Sequence, residues 1–173
     1  MTVVLPDPTV HAAYKAGAWA LLIALGAILG ALAFQHIGGI VPCELCLKQR
    51  YAYYVGAPLL FLALVLLSAD QRRAAALLFA AVALAFLGNA GLGVYHAGVE
   101  WHFWPGPAAC TGAQPLSTSV GGLLDSLPST SIVRCDEAAW RLGGISLAGW
   151  NVAVSLLVLA MSLRAAAESL RLR

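Results

Sequence analysis

Residues 74–95 read AAALLFAAVALAFLGNAGLGVY, a run that contains no Asp, Glu, Lys or Arg. Three further stretches have the same character, at residues 16–34, 51–68 and 142–163. An α-helix needs roughly 17 to 25 apolar residues to cross the hydrocarbon core of a bilayer, and all four stretches reach that length. The sequence therefore predicts an all-α membrane protein, a four-transmembrane-helix bundle that forms a single integral membrane domain over residues 1–173.

The composition excludes an ordinary soluble domain. Hydrophobic residues make up 61% of the chain and charged residues only 10%, with a mean hydropathy of +0.83, whereas soluble domains carry about 25% charged residues. A formal net charge of +2, spread along the chain, provides no basic patch for nucleic acid. The expected environment is the lipid bilayer.

The first apolar stretch has one feature of a cleaved signal peptide, because Ala31-Leu32-Ala33 resembles a processing site. Its apolar run is longer than the roughly 7 to 15 residues of a signal-peptide core, and Lys15 is the one cation that precedes it. We therefore expect this stretch to be retained as the first transmembrane helix.

Orientation follows from Lys and Arg, which accumulate on the cytoplasmic side of a bacterial membrane. With both termini inside, six cations lie on that side, at Lys15, Arg72, Arg73, Arg164, Arg171 and Arg173, against four outside, at Lys48, Arg50, Arg134 and Arg141. The outer loops are then residues 35–50 and 96–141. This predicts a multi-pass protein of the bacterial inner membrane with all its cysteines in the periplasm, where disulfides persist.

Small and polar residues within the spans indicate how the helices pack. Gly26 and Gly30 form a pair of the kind that lets helix backbones approach closely in membranes. Asn89 and Asn151 are the polar residues placed deepest in the spans. We expect both to make hydrogen bonds between helices, worth about 0.6 kcal/mol each.

The second outer loop is too long to be a simple connection. Apolar residues recur within it at helical spacing, at Leu116, Val120, Leu123, Leu124 and Leu127, with Ser, Thr and Asp residues between them. Residues 116–127 are therefore predicted to form a short amphipathic helix at the membrane interface.

The pair Cys43-Glu44-Leu45-Cys46 favours redox chemistry over stabilisation. A disulfide that closes so small a ring contributes about 2 kcal/mol by chain entropy, against about 3.5 kcal/mol for a bond between Cys110 and Cys135. Pro42 suits the first position of a helix. If the second helix begins there, Cys43, Cys46 and Arg50 lie on one face.

Cys110 and Cys135 lie in the second outer loop, where a disulfide is open to attack by an external thiolate. Four structural cysteines in any of three connectivities remain an alternative to redox catalysis. Cys110 and Cys135 are far apart in the sequence and no His pair has ligand spacing, so the spacing predicts no metal site.

The histidines of this chain do not form the pairs within spans that a haem-binding bundle would need. His36 and His102 have the character of interfacial side chains. His96 follows the third apolar stretch on the same side as Cys46, from where it is placed to reach a quinone carbonyl.

These motifs together resemble the family of disulfide bond formation protein B (DsbB). The resemblance rests on Pro42-Cys43-Glu44-Leu45-Cys46 followed by Gln49-Arg50, on the four spans, and on a second outer loop with Trp104-Pro-Gly-Pro-Ala-Ala-Cys110 and Cys135. It covers nearly the whole chain. A C-x-x-C pair alone is common, so the specificity lies in the combination.

The resemblance implies a quinone-dependent protein-disulfide oxidoreductase. Such an enzyme reoxidises a periplasmic thioredoxin-like dithiol oxidase of the DsbA type and passes the electrons to a membrane quinone, ubiquinone or menaquinone. By similarity, Cys110 takes the attack of the partner's thiolate. Cys135 then attacks Cys43, which frees Cys46 as the thiolate that faces the quinone.

Two further residues acquire roles through the resemblance. Arg50 matches a family arginine that binds and polarises the quinone, and His96 corresponds to a family histidine after the third span. Two other functions stay open at this point: a quinone reductase similar to vitamin K epoxide reductase, whose C-x-x-C lies on a late helix, and a non-enzymatic tetraspan scaffold with structural disulfides.

Overall fold

The computed structural model of this chain describes residues 8–107 and 134–171. Its helices are α1 (Pro8–His36), α2 (Glu44–Ser68), α3 (Arg72–Glu100) and α4 (Leu147–Leu170), and a two-residue hairpin, β1 (Arg141–Leu142) with β2 (Ile145–Ser146), precedes α4. In these ranges all four helices are long and apolar enough to cross a membrane. The predicted all-α, four-span fold is confirmed, whereas the predicted amphipathic helix at 116–127 lies outside the described residues.

The four helices pack as a closed ring. Helix α4 contacts α3 and α1 most extensively, and α2 fills the remaining side between α1 and α3. Within the core, α1 contributes small side chains at helical spacing, namely Ala13, Ala16, Ala20 and Ala24. Larger side chains from α3, such as Phe79 and Phe86, are fully buried against the other helices. Small residues opposite large ones let the helix backbones approach, as is usual in membrane bundles.

The outer surface of the bundle is apolar. Large side chains that would be buried in a soluble protein are more than half exposed on every helix, among them Leu29, Phe61, Leu84 and Leu163. A surface of this kind is stable only against lipid, because contiguous apolar patches of this size are rare on monomeric soluble proteins.

A buried polar cluster links three helices near the middle of the bundle. Asn89 on α3 donates to Asn151 Oδ1 at 3.3 Å and to Ser155 Oγ at 2.9 Å on α4. The hydroxyl of Tyr53 on α2 donates to the same Asn151 oxygen at 2.7 Å. The prediction that both asparagines make interhelical hydrogen bonds is confirmed.

Helix α2 begins later than the proline predicted. Pro42 lies before the helix and Cys43 is its N-cap, with extended backbone angles of φ −73° and ψ 170°. The sulfur of Cys43 accepts the backbone N–H of Cys46 at 3.3 Å, so a side-chain acceptor fixes the helix start. This displacement gives the first cysteine of the C-x-x-C pair a structural role in addition to its chemistry.

Helix α4 also begins later than the apolar stretch at 142–163. Gly143 and Gly144 adopt positive φ angles of 60° and 82°, which turn the chain back on itself in the hairpin. Ser146 then caps α4 by accepting the N–H of Gly149 at 3.2 Å. Hydropathy alone did not reveal this turn.

A matched pair of glycine substitutions tests the packing of α2 against α3. A Cβ atom on Gly56 would lie 2.6 Å from Cε2 of the fully buried Phe86. We expect Gly56→Ala to destabilise the protein by about 1–3 kcal/mol, because the ring has no space to move into. Gly88→Ala is the control, since nothing among the described residues lies within 4 Å of its added atom. Equal thermal unfolding midpoints for the two variants in detergent would contradict this packing.

Candidate active site

Two thiols lie at the N-terminus of α2. The sulfurs of Cys43 and Cys46 are 3.0 Å apart and both residues are free cysteines. The cap places them one helical turn apart, with Cys43 buried and Cys46 partly exposed. A dithiol in this arrangement can close to a disulfide with little movement of the backbone.

Cys135 lies against this dithiol. Its side chain is fully buried, at 0% exposure, and it forms one apolar cluster with Cys43 and Leu45, to which Cys46, Leu92 and Tyr95 also contribute. Cys135 is disulfide-bonded. The structure therefore brings a sulfur from the second outer loop into the same cluster as the C-x-x-C pair. Cys110 lies outside the described residues.

The segment around Cys135 is held by ion pairs. Arg134 donates two hydrogen bonds to the carboxylate of Asp136, at 3.0 and 2.8 Å, and contacts Glu137 at 3.3 Å. Arg134 and Glu137 are largely exposed, whereas Asp136 is mostly buried. These ion pairs hold the segment beside the fully buried Cys135.

The surroundings of Cys43 favour its thiolate. They lower the pKa of the Cys43 thiol from its ordinary value of about 9 to about 4. The largest cause is the hydrogen bond from the Cys46 thiol, which burial of the sulfur opposes. A hydrogen bond from His96, the backbone N–H of Cys46 and the charge of His96 add to the lowering. Cys43 is therefore a thiolate at neutral pH when both cysteines are reduced.

His96 faces Cys43 across the interface between α2 and α3. Its ring is 2% exposed, with Nε2 at 3.6 Å from Cys43 Sγ and Nδ1 at 3.0 Å from Gln49 Nε2. When the Gln49 amide nitrogen donates to Nδ1, Nε2 carries a proton and is placed to donate to the Cys43 thiolate.

Gln49 and Glu100 are site residues that the sequence reasoning missed. Glu100 is 8% exposed, its Oε1 lies 3.8 Å from His96 Nε2, and its Oε2 has no hydrogen-bond partner among the described residues. The spacing of these two residues along the sequence could have indicated their place at the site. His96 and Glu100 are four residues apart on α3, and Gln49 follows Cys46 by three on α2, so each pair shares a helix face.

A cavity of about 310 Å³ opens beside the dithiol. Its polar end contains Cys46, Arg50, His96 and Glu100, and its apolar walls come from α1 and α4. Gly26 and Gly30 line it, with nothing within 4 Å of an added Cβ among the described residues. The prediction that these glycines bring two helices together was therefore wrong, because they instead leave space for the cavity.

The predicted cations at the start of α2 point in different directions. Arg50 lines the cavity and donates to Ala31 O at 3.3 Å and, in a short hydrogen bond, to Gln35 Oε1. Lys48 forms an exposed ion pair with Glu44 at 2.7 Å. Of the two, Arg50 is the one whose charge reaches the cavity.

Comparisons with known proteins point to one family. The family described as "Disulfide bond formation protein DsbB" matches residues 15–165. Disulfide bond formation protein B of Neisseria meningitidis is 33% identical over 157 residues, covering 84% of this chain and 90% of that protein. The protein of the same name from Verminephrobacter eiseniae is 32% identical, with 77% and 76% covered, and that from Albidiferax ferrireducens is 28% identical, with 79% and 80% covered. No solved structure matches significantly.

The lowered pKa of Cys43 predicts an unusual pH profile of reactivity. In the reduced protein, with a chelator present, we expect Cys43 to be alkylated at about pH 6 nearly as fast as at about pH 8, since the thiolate is the reactive form. The rate should fall only as the pH drops through about 4. Iodoacetamide labelling with site-resolved mass spectrometry measures it.

The same experiment on His96→Gln isolates the contribution of the imidazole. Loss of the ring should move the profile toward the ordinary thiol range, because His96 favours the thiolate by its hydrogen bond and its charge. A wild-type midpoint near that of a free thiol, about 8.5, would contradict the thiolate assignment.

Proposed function

Because the chain belongs to the disulfide bond formation protein B (DsbB) family and is accordingly a disulfide-forming oxidoreductase, we propose that it reoxidises a periplasmic thioredoxin-like dithiol oxidase of the DsbA type and passes the electrons to a membrane quinone. The proposed location is the bacterial inner membrane. In this proposal residues 1–173 form one membrane domain, with both termini in the cytoplasm and the cysteines in the periplasm.

The proposal rests on the position of the free dithiol. The free dithiol of Cys43 and Cys46 shares an apolar cluster with the disulfide-bonded Cys135 and also borders a cavity that opens between helices. A protein with purely structural disulfides has no need for a reduced pair in that position. In the proposed cycle this covalent state is the one in which Cys43 and Cys46 hold the electrons.

In the proposed exchange between the two cysteine pairs, each step breaks one disulfide and forms another, and consumes one thiolate and releases another. We propose that the partner's thiolate attacks Cys110 in a Cys110–Cys135 disulfide, which releases Cys135 as a thiolate. Cys135 then attacks Cys43 in the oxidised C-x-x-C pair, forming a Cys43–Cys135 bond and releasing Cys46 as a thiolate. Burial of both Cys43 and Cys135 excludes other thiols from this step.

His96 and the helix start support the exchange from the α2 side. The backbone N–H of Cys46 and the imidazole of His96 both point at Cys43 Sγ, at 3.3 and 3.6 Å. These donors stabilise negative charge on Cys43 whenever it leaves a disulfide. They make Cys43 a good leaving group when Cys110, once the partner's second thiol has released it, attacks Cys135. That step re-forms the Cys110–Cys135 bond and opens the Cys43–Cys135 bond.

The cavity suits a quinone headgroup. A quinone accepts the two electrons and two protons released when the dithiol closes to a disulfide. The volume of about 310 Å³ is at the lower end of the range for small-molecule sites, roughly 300 to 1,000 Å³, and apolar walls with a polar end are typical of them. We propose that Arg50 binds a carbonyl oxygen there, since Gln35 and Ala31 hold its guanidinium at the cavity wall. His96 lines the same polar end.

Trapping experiments distinguish the relay from a scaffold. We expect Cys135→Ala to accumulate a mixed disulfide between Cys110 and an oxidised thioredoxin-like partner. The Cys110 thiolate opens the partner's disulfide, which frees the partner's second thiolate, and Cys135 is no longer present to attack Cys110 and release the partner. Non-reducing electrophoresis and mass spectrometry of membranes detect it, with the Cys110→Ala/Cys135→Ala double variant as control. In the wild type, withholding quinone while supplying the reduced partner should leave Cys43 and Cys46 reduced. Disulfides that do not change through this cycle would favour the scaffold.

The role of Arg50 is tested by substitution. Arg50→Leu should raise the quinone concentration needed for half-maximal turnover by about tenfold or more, as expected for loss of a charge-assisted hydrogen bond of about 1.5–3 kcal/mol. Lys48→Leu is the matched control, because Lys48 lies on the same helix and pairs with Glu44 at the surface. An unchanged quinone dependence, or equal effects in both variants, would refute the assignment.

A further inference from the structure

The reduced site brings together three side chains of the two types, thiol and imidazole, that bind soft divalent cations. The sulfurs of Cys43 and Cys46 and a ring nitrogen of His96 all lie within 4.8 Å of one another. Thiolate and imidazole are the ligands that zinc prefers in proteins. The two cysteines come from α2 and the histidine from α3, so sequence spacing alone did not indicate this set.

The distance between Cys43 and His96 agrees with tetrahedral coordination of one ion. An ion bound at about 2.3 Å by sulfur and about 2.0–2.1 Å by nitrogen places those two ligands roughly 3.6 Å apart, and Cys43 Sγ lies 3.6 Å from His96 Nε2. The two sulfurs are closer, at 3.0 Å, and would separate to roughly 3.8 Å around the ion. Cys46 borders the cavity, which provides space for that movement.

Glu100 is an independent sign of an unfilled ligand position. Its side chain is almost fully buried, one carboxylate oxygen lies 3.8 Å from His96 Nε2, and the other has no partner among the described residues. Buried carboxylate oxygens are normally hydrogen-bonded or bound to a cation. Glu100 lies outside the three-residue group, so its carboxylate becomes the fourth ligand in this proposal by moving from the histidine toward the two sulfurs.

Gln49 supports the histidine in this role as well. To bind a metal through Nε2, the imidazole must carry its proton on Nδ1, where Gln49 lies at 3.0 Å. If the side-chain amide of Gln49 rotates by 180°, its oxygen accepts a hydrogen bond from that N–H. Gln49 can therefore pair with either tautomer of His96. Metal-bound histidines usually have such a partner at the second nitrogen.

We propose that the reduced protein binds a thiophilic divalent cation of the zinc class through Cys43, Cys46, His96 and Glu100, and that this binding blocks oxidation of the dithiol. A ligand thiol that still carries its proton loses it to solvent on binding, and no electron is transferred. While the ion is bound, neither sulfur is free to form the Cys43–Cys46 bond. The inference needs only the reduced pair and goes beyond the proposed function.

Cobalt provides a direct spectroscopic test. Co²⁺ is added without oxygen to the reduced full-length protein in detergent, with neither quinone nor partner present. We expect thiolate-to-cobalt charge-transfer absorption together with the strong visible bands of a tetrahedral ion, and loss of both when Zn²⁺ is added. Protein carrying a Cys43–Cys46 disulfide should show neither. Weak octahedral bands, or equal binding by oxidised protein, would overturn the proposal.

Variants assign the ligands. His96→Ala should weaken Co²⁺ binding by at least about tenfold, and Glu100→Gln should weaken binding and change the visible bands. His102→Ala is the matched control, since His102 is exposed and outside the cluster. Thermal unfolding of the metal-free variants reports whether they fold. Binding that is unchanged in folded His96→Ala would overturn the site, and an unchanged spectrum in Glu100→Gln would overturn Glu100 as the fourth ligand.

A second measurement tests the inhibitory effect separately from quinone chemistry. Zn²⁺ at saturating concentration should protect Cys43 and Cys46 from oxidation by a small disulfide reagent, and a chelator should restore the reaction. Unprotected thiols at full occupancy would overturn the blocking effect. Failure of quinone turnover would contradict the proposed function and leave the cobalt result unaffected, so the two outcomes are distinguishable.

Discussion

The hydrogen bond from the backbone N–H of Cys46 to the sulfur of Cys43 is the interaction on which the site depends. It satisfies one of the N–H groups that a helix start leaves unpaired, so α2 begins at Glu44 and not at the preceding proline. It also sets the sulfur–sulfur distance and turns Cys43 toward α3. The same sulfur atom therefore caps a membrane helix and forms half of the dithiol.

The packing around this helix start determines what the two thiols contact. Cys43 packs against Cys135, from the segment between α3 and α4, and Cys46 borders a cavity that α1 and α4 wall with apolar side chains. Gly26 and Gly30 leave that cavity open. The dithiol therefore lies between a disulfide-bonded cysteine and a cavity, which is the arrangement that the proposed function requires.

The buried polar groups around the dithiol suit more than one state of the site. His96 donates to a thiolate when Gln49 donates to its other nitrogen, and it offers a lone pair when the amide is reversed. Glu100 adds a negative charge that would be balanced by a bound cation. The features that favour the reduced dithiol in the proposed electron transfer are thus the same features that would bind the proposed metal ion.

The sequence by itself determined the membrane class, the number of helices and the C-x-x-C pair, because charge-free runs of spanning length and a four-residue motif are local properties of the chain. It also indicated that Asn89 and Asn151 bond between helices. The start of α2 at its cap and the use of Gly26 and Gly30 to open a cavity were decided by the tertiary structure. So was the placement of His96, Gln49 and Glu100 around Cys43, because these contacts join residues that are distant in sequence, and only the packing of α2 against α3 brings them within bonding distance.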